Sequence, residues 1–214
     1  WTSPVVTNRT VSSITALDVT SFSEFQIGEE LPCYVNIPDA NFKTYLLANA
    51  AVNLNSDGEI QCSEAAAYTG GFWIPSLNIS DLTGIEAFVQ LNYLNCAFNN
   101  LTSLNVTTLP LLVEISAINN SISSIDLSSN PLIQELNLEG NQLTSINLSS
   151  NPALLHLNVG ANQLTALDLT SNPALDGLTA YSNQISTLDL SGNPLLTFLI
   201  VGNNLLTSLN LANN

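Results

Sequence analysis

The chain repeats itself with a fixed period over more than half of its length. Asparagines recur at one constant interval, a 21-residue period, at Asn99, Asn120, Asn141, Asn162, Asn183 and Asn204. Apolar residues keep step with them, and in one unit they stand at Ile133, Leu136, Leu138 and Leu143. A fixed period of this length is typical of solenoids, in which each coil buries its apolar side against the next coil.

The spacing within one unit is that of the leucine-rich repeat, L-x-x-L-x-L-x-x-N-x-L. The Leu-x-Leu alternation predicts a short strand, and the asparagine predicts a turn whose side-chain amide satisfies backbone groups of neighbouring coils. The second half of each unit lacks the length and period of a helix, which favours extended or tight-turn structure. We therefore predict an α/β-type repeat solenoid, mostly β with little helix, with six coils over residues 87–214.

The residues before the repeats predict a small helical cap. Residues 38–47 read as a short helix that begins at Pro38 and has Phe42, Tyr45 and Leu46 on one face. A degenerate first coil should follow, because Asn78 precedes Asn99 by the same interval that separates the later asparagines.

The predicted division is therefore an N-terminal extension over residues 1–34, a cap over 35–86 and repeats over 87–214. The extension is either strand-forming or a linker. The last coil has no polar capping segment, so we expect the natural chain to continue or a cap to have been removed.

Residues 53–64 follow the spacing of an EF-hand calcium loop. The predicted oxygen ligands are Asn53, Asn55, Asp57, the Glu59 carbonyl, Gln61 and Glu64. Gly58 stands where such a loop turns sharply, and Ile60 at its inward apolar position. Because Asn53 replaces the usual Asp, we predict a weak structural Ca²⁺ site, with a Kd of about 10⁻⁴–10⁻³ M. The alternative is an Asx-rich turn that keeps the loop shape without metal.

Charge excludes several kinds of partner. The chain has 2 Lys plus Arg against 17 Asp plus Glu, a net charge of −15. Clustered bases are needed to bind phosphates, so nucleic acid and anionic lipid are not predicted partners. No apolar run approaches the roughly 20 residues that cross a membrane, so direct insertion is not predicted either.

The remaining chemistry-bearing residues do not favour an enzyme. The chain has three cysteines, so at least one is unpaired within it, and Cys96 takes a core position where a thiol is inert. The one histidine, His156, is predicted to lie on an open sheet rather than in a pocket.

Three segments resemble bacterial leucine-rich-repeat surface proteins of the Bacteroidetes type, which are similar to internalins. They are residues 36–42, the loop at 57–60 and residues 79–86, and the resemblance covers about residues 35–214. It implies secretion or an outer cell-surface location, a role in adhesion or protein binding, and no enzymatic activity.

The residues between the strand leucines predict a partner-binding face. They are Tyr93, Asn95, Phe98, Ile118, Asn137, His156, Asn158, Tyr181, Phe198 and Ile200. Aromatic side chains among neutral amides are typical of binding faces, so we predict a neutral, aromatic-bearing sheet that binds a protein or a glycan. The alternatives are a structural subunit or rigid spacer in a surface assembly, coverage by another domain of the same chain and, as a minor one, ice binding by a threonine and asparagine array on the back.

Overall fold

The computed structural model describes two backbone strands in the N-terminal extension and all of residues 32–214. The chain forms two compact units, Trp1–Pro32 and Cys33–Asn214. In the first, β1 (Val6–Thr10) and β2 (Ser13–Ala16) pair antiparallel. The rest of the predicted extension up to residue 31 lies outside the described residues, and the predicted division at residues 34 and 86 stays a prediction.

The second unit is a leucine-rich-repeat solenoid, as the 21-residue period predicts. Its strands are β3 (Gly71–Trp73), β4 (Tyr93–Asn95), β5 (Glu114–Ser116), β6 (Glu135–Asn137), β7 (His156–Asn158), β8 (Gly177–Thr179), β9 (Thr187–Asp189), β10 (Phe198–Ile200) and β11 (Ser208–Asn210). Seven of them form one parallel sheet in the order β10-β8-β7-β6-β5-β4-β3, and β9 pairs with β11 in a separate sheet.

The core follows from the strand alternation. In strands β4 to β8 the middle residue points inward, and Leu94, Ile115, Leu136, Leu157 and Leu178 are all at most 2% exposed. Each of them pairs in register with the next, so the apolar residues form one continuous column. A single coil could not bury this column alone, which is why the coils are stable only when stacked.

The predicted asparagine ladder is confirmed. Asn141 accepts a hydrogen bond from the Ile122 amide of the preceding coil at 3.0 Å and donates to the Ala117 carbonyl at 2.9 Å and the Leu138 carbonyl at 3.0 Å. The same bonds recur one coil later at Asn162. These side-chain amides pair with backbone groups that would otherwise be buried at the turn without a hydrogen-bond partner.

A second asparagine ladder is not evident from the sequence. The asparagines of the Asn-Pro turns are fully buried and donate from Nδ2 to two carbonyls of the preceding coil, as Asn151 does to Leu127 at 3.2 Å and Asn130 at 2.9 Å. Asn172 repeats this with Leu148 and Asn151. The sequence shows these residues only as turn formers, because their role depends on the coil below.

The degenerate first coil is present, but it has one residue more than the others. Phe72 pairs with Leu94 in the next coil, and Asn99 accepts from the amides of Leu77 and Ile79. Asn78 therefore does not stand one coil before Asn99 in the ladder, although it lies 21 residues before it. Its matching interval to Asn99 is a coincidence, because the coil in which it lies is longer than the repeat period.

The cap contains two short helices, α1 (Ala40–Ala48) and α2 (Cys62–Ala67). Asp39 is the N-cap of α1, because its carboxylate accepts from the amides of Asn41 and Phe42. Pro38 therefore precedes the helix, and its predicted place as the first helical residue is wrong. Phe42 and Leu46 are fully buried, as predicted.

The cap covers the first end of the core in two ways. A disulfide joins Cys33 to Cys62 at the start of α2. The Phe72 ring of β3 packs edge-on against Phe42, Tyr45 and Phe88. Aromatic packing of this kind seals the open end of the apolar column.

The back of the coils has no helix over residues 93–214, as predicted. Asp126 and Asp168 close turns by accepting from the amides of Ser128 and Thr170 within their own coil. Asn210 is different, because it donates to Asp189 in the coil below.

Within the described part of the chain, no helix is long and apolar enough to cross a membrane.

Replacing Asn141 by alanine should destabilise the solenoid by about 3 kcal/mol, because three buried backbone groups lose their partner. The matched control is Gln142→Ala, since the Gln142 side chain is exposed. Urea unfolding followed by circular dichroism measures both variants. Equal loss in the two variants would contradict the assigned role of the ladder.

Candidate binding face

The outward side chains of the seven-stranded sheet, here called the outer face, fall into aligned columns. The first strand positions form one column of Tyr93, Glu114, Glu135, His156, Gly177 and Phe198. The third positions form a second column of Asn95, Ser116, Asn137, Asn158, Thr179 and Ile200. Stacked strands are about 4.8 Å apart, so side chains in one column contact their neighbours.

The structure places most of the predicted partner-binding residues in these two columns. Ile118 and Tyr181 lie just beyond the second column, each two positions after a strand's last residue. Phe98 lies at the turn after β4, where its φ of 56° takes it off the sheet, although it is 55% exposed. No finding tests whether these residues bind a partner, so that role stays a prediction.

The outer face is not neutral, and that part of the prediction is wrong. Glu114 and Glu135 are paired in register on neighbouring strands. The Glu135 Oε1 lies 3.1 Å from the His156 Nδ1, and the His156 Nε2 lies 3.9 Å from Asp176 Oδ2. No Lys or Arg follows Lys43 in the sequence, so His156 is the only basic side chain within residues 44–214.

Glu114 carries its charge in an unfavourable position, beside a second carboxylate. Partial burial of the Glu114 carboxyl and, next, the charge of Glu135 raise the pKa of Glu114. Like charges directly opposite each other in a sheet cost stability. This part of the face therefore carries a destabilising arrangement that a bound cation would relieve.

One polar bridge spans three coils. Glu139 accepts from the Tyr181 hydroxyl two coils away, and from the Asn158 Nδ2 at 2.7 Å. The bond from Tyr181 crosses Gly160, where an added Cβ would come within 2.5 Å of the Tyr181 ring. Gly160 is therefore the residue that lets the tyrosine lie flat across the intervening coil.

Trp73 extends the face at its N-terminal end, and the repeat pattern does not predict it. Its ring stacks on Tyr93 with an interplanar angle of 3° and centroids 6.1 Å apart, and it is 63% exposed. The sequence signal that could have identified Trp73 is the alternation in Phe72-Trp73-Ile74. Because the first coil has one extra residue, this segment does not align with the later strands at a spacing of 21 residues.

A shallow cavity of about 220 Å³ lies in the middle of the outer face. Its lining includes Glu114, Ser116, Glu135, His156 and Phe198. Gly177 lies beside the His156 ring, and a Cβ at that position would come within 2.8 Å of it. The His156 ring therefore occupies the place that a side chain at Gly177 would take.

The predicted calcium loop is closed by hydrogen bonds. Glu64 is 7% exposed and accepts from the amides of Leu54 at 2.8 Å, Asn55 at 3.3 Å and Gln61 at 3.0 Å. Asp57 accepts from the Glu59 amide at 2.8 Å, which lowers its pKa. Both predicted carboxylate ligands thus already have donors.

Some other features of the loop match the predicted metal site, and one differs from it. The left-handed residue is Ser56, with a φ of 58°, so Gly58 does not make the sharp turn as predicted. Ile60 is fully buried, as predicted. The Asn53 Oδ1 is buried without a hydrogen-bond partner and is available to a cation. Calcium binding stays a prediction.

The two groups with catalytic potential are not placed to react. Burial raises the pKa of the Cys96 thiol to about 12, so it stays protonated as predicted for a core residue. His156 contacts two carboxylates on an exposed sheet. We assign neither group a catalytic role.

Solved structures similar to this chain are leucine-rich-repeat proteins. The functional domain of InlJ from Listeria monocytogenes is 28% identical over 79% of this chain and 47% of that chain, with a TM-score of 0.51. Internalin C2 from the same organism is 22% identical over 82% of this chain and 90% of that chain, with a TM-score of 0.59. TLR13 in complex with ssRNA13 is 25% identical over 64% of this chain and 21% of that chain, with a TM-score of 0.52.

This chain therefore spans about half the length of the InlJ chain. No protein-family model matches it. No curated protein sequence matches it either.

Glu114→Gln should raise the melting temperature at pH 7, because it removes a partly buried charge and its repulsion from Glu135. The pKa of Glu114 is raised in the folded state, so the ionised carboxyl lowers the free energy of unfolding. This loss of stability is fully present above the folded-state pKa and disappears as the pH falls towards the ordinary carboxyl pKa. The gain should therefore shrink near pH 4.

Asp126→Asn is the control with the opposite sign. Hydrogen bonds from the Ser128 hydroxyl and amide lower the Asp126 pKa, so this variant should lose stability at pH 7 and lose less in acid. Thermal melts between pH 3 and pH 8 measure both variants. A fall in the melting temperature of Glu114→Gln at pH 7 would rule out the repulsive pair.

Glu64→Gln should lower the melting temperature in EDTA, because the new amide nitrogen cannot accept the bond from Gln61. Glu59→Gln, which removes only the half-exposed ion pair with Lys43, is the control. Calorimetric titration with Ca²⁺ tests the metal separately. Heat from the wild type that Glu64→Gln abolishes would support the site, and no heat from the wild type would reject it.

Proposed function

Taking the leucine-rich-repeat fold as the premise, we propose that this chain is a protein-binding module that presents its outer face to a partner. The observation that carries the proposal is the set of large side chains on one aligned sheet: Trp73, Tyr93, Phe198 and Ile200. Three of them, Trp73, Phe198 and Ile200, are 63%, 54% and 42% exposed. Aromatic side chains with polar surroundings are the residues that contribute most to protein interfaces.

The polar groups between them suit a protein partner. Asn95 and Asn137 use their Oδ1 atoms to accept from the amides of Ala97 and Glu139. Their Nδ2 groups then remain as donors, which backbone carbonyls of a partner can accept. This pattern of apolar anchors and fixed donors gives both affinity and orientation.

The similar structures support a binding role rather than an enzymatic one. One of them, TLR13, was solved in complex with a single-stranded RNA. RNA is not the partner that this chain fits, because 2 Lys plus Arg cannot neutralise a phosphate backbone. A protein partner therefore remains the best-supported class, and a glycan is the alternative.

We further propose a secreted or outer-surface location, with a role in adhesion. The support is the Cys33–Cys62 disulfide, because such bonds persist in oxidising compartments. It joins cysteines with a sequence separation of 29 and should contribute about 3–4 kcal/mol. Non-reducing peptide mapping of the protein from its natural source tests this, and free thiols at both positions would contradict it.

Two other functions use different surfaces or different partners. A structural subunit or spacer would bury the outer face permanently and would purify in fixed stoichiometry with its neighbour. Ice binding would use the exposed back residues Thr102, Thr144 and Thr165. Thermal hysteresis of the pure protein tests that function, and its absence removes it.

A displayed random-peptide library selected against the chain tests the proposed face. Binders should lose about tenfold or more in affinity for the double variant Trp73→Ala and Phe198→Ala, because each removes an exposed aromatic anchor. The matched control is Val89→Ala with Leu132→Ala, two exposed apolar residues outside the columns. Binders that lose affinity equally for both variants, or for neither, would contradict the proposal.

A further inference from the structure

The cavity on the outer face has the size of one side chain. Its volume of about 220 Å³ is below the roughly 300–1,000 Å³ of pockets that hold whole small molecules. His156 and Phe198 stand on either side of Gly177 in the first column, and all three residues line the cavity. A partner would therefore insert a single group here.

Its polar lining lacks partners of its own. Ser116 is 8% exposed and lies in the outward second column between Asn95 and Asn137. Both asparagine Oδ1 atoms are taken by backbone amides, which leaves the Ser116 hydroxyl without a side-chain partner among residues 32–214. A hydroxyl that lines a cavity without such a partner is free to hydrogen-bond to a ligand.

The charge of the lining is negative, and only part of it is compensated, because His156 lies beside Glu135. Glu114 forms no ion pair within residues 32–214, where the three pairs join Lys43 to Glu59 and His156 to Glu135 and Asp176. Its raised pKa reflects partial burial and the Glu135 charge. The lining therefore holds a carboxylate pair that a positive group would stabilise.

We propose that this cavity is a specificity pocket for the side chain of an arginine on the protein partner. The guanidinium group would donate to Glu114 and Glu135 across two coils and to the Ser116 hydroxyl. The apolar stem would lie along the column over His156 towards Phe198. This inference rests on the proposed function, since it names the chemistry of the residue that the outer face selects.

Arginine fits these features better than lysine does. Its planar group presents five N–H donors in a fixed fork, enough to reach two carboxylates on strands about 4.8 Å apart. The ammonium of lysine is compact and strongly hydrated, so it suits a single acceptor and loses more on entering a partly buried site. A calcium ion would need about six to eight oxygens, and the carboxylates and hydroxyl here provide fewer.

Backbone NMR of the full chain tests the pocket directly. The probe is Nα-acetyl-arginine N-methylamide, and the matched neutral probe is the citrulline analogue of the same shape. The arginine probe should shift the amide signals of residues 114, 135 and 177 saturably, with a millimolar Kd, and the citrulline probe should not. The double variant Glu114→Gln and Glu135→Gln should weaken binding about tenfold or more.

The control variant is Asp126→Asn with Asp168→Asn, which removes two carboxylates from the back and should leave binding unchanged. Binding should also weaken as salt increases, because part of the attraction is between charges near the surface. Equal shifts from both probes, shifts that the control variant abolishes equally, or no saturable shift would overturn the pocket. Ca²⁺ alone producing the same shifts would overturn it in favour of a metal site.

Failure of the arginine pocket can be distinguished experimentally from failure of the proposed binding function. Library binders that need Trp73 and Phe198 but carry no arginine, together with a failed arginine titration, would remove the pocket and leave the binding face. Binders that ignore the outer face would remove the proposed function, whatever the probe shows.

Discussion

The asparagine amides that join each coil to the one before it are the interaction on which the rest of this structure depends. Each coil turns several times, and each turn takes backbone groups into a core that has no water to satisfy them. Asn141 and Asn162 supply those partners at one corner, and Asn151 and Asn172 do so at another. Because the turns are satisfied by side chains of fixed length, the repeated coils have the same shape, and the strands stay in register.

The constant register of the strands gives the solenoid a regular outer face. Residues one period apart in the sequence become neighbours in a column, so the residue at each strand position of successive coils determines the chemistry of that column. That pattern places two carboxylates together at Glu114 and Glu135 and a glycine, Gly177, beside the His156 ring. The apolar column stabilises the chain, and the outer columns are free to carry side chains that cost stability. Glu114, Glu135 and Ser116 line one cavity, where a ligand can reach them.

The features that recur in every coil can be predicted from the sequence, whereas those that occur once are harder to predict. The 21-residue period predicts the strands, the leucine core and the first asparagine ladder, because each coil carries the same information. Trp73 escapes prediction because the first coil has one residue more, and the Tyr181–Glu139 bridge because it joins coils that are not adjacent. The Cys33–Cys62 bond depends on how the cap folds back, which no spacing reveals. In the loop at 53–64, a ligand pattern does not distinguish oxygens that bind a metal from oxygens that accept backbone amides.

Hydrogen–deuterium exchange of the chain with a bound partner protein tests the central claim most directly, which is that this solenoid binds through its outer face. We expect slower exchange in the peptides that contain Tyr93, Glu114, Glu135, His156 and Phe198, and unchanged exchange in those that contain the back turns at Asp126 and Asp168. Protection confined to the back turns or to the cap would contradict it.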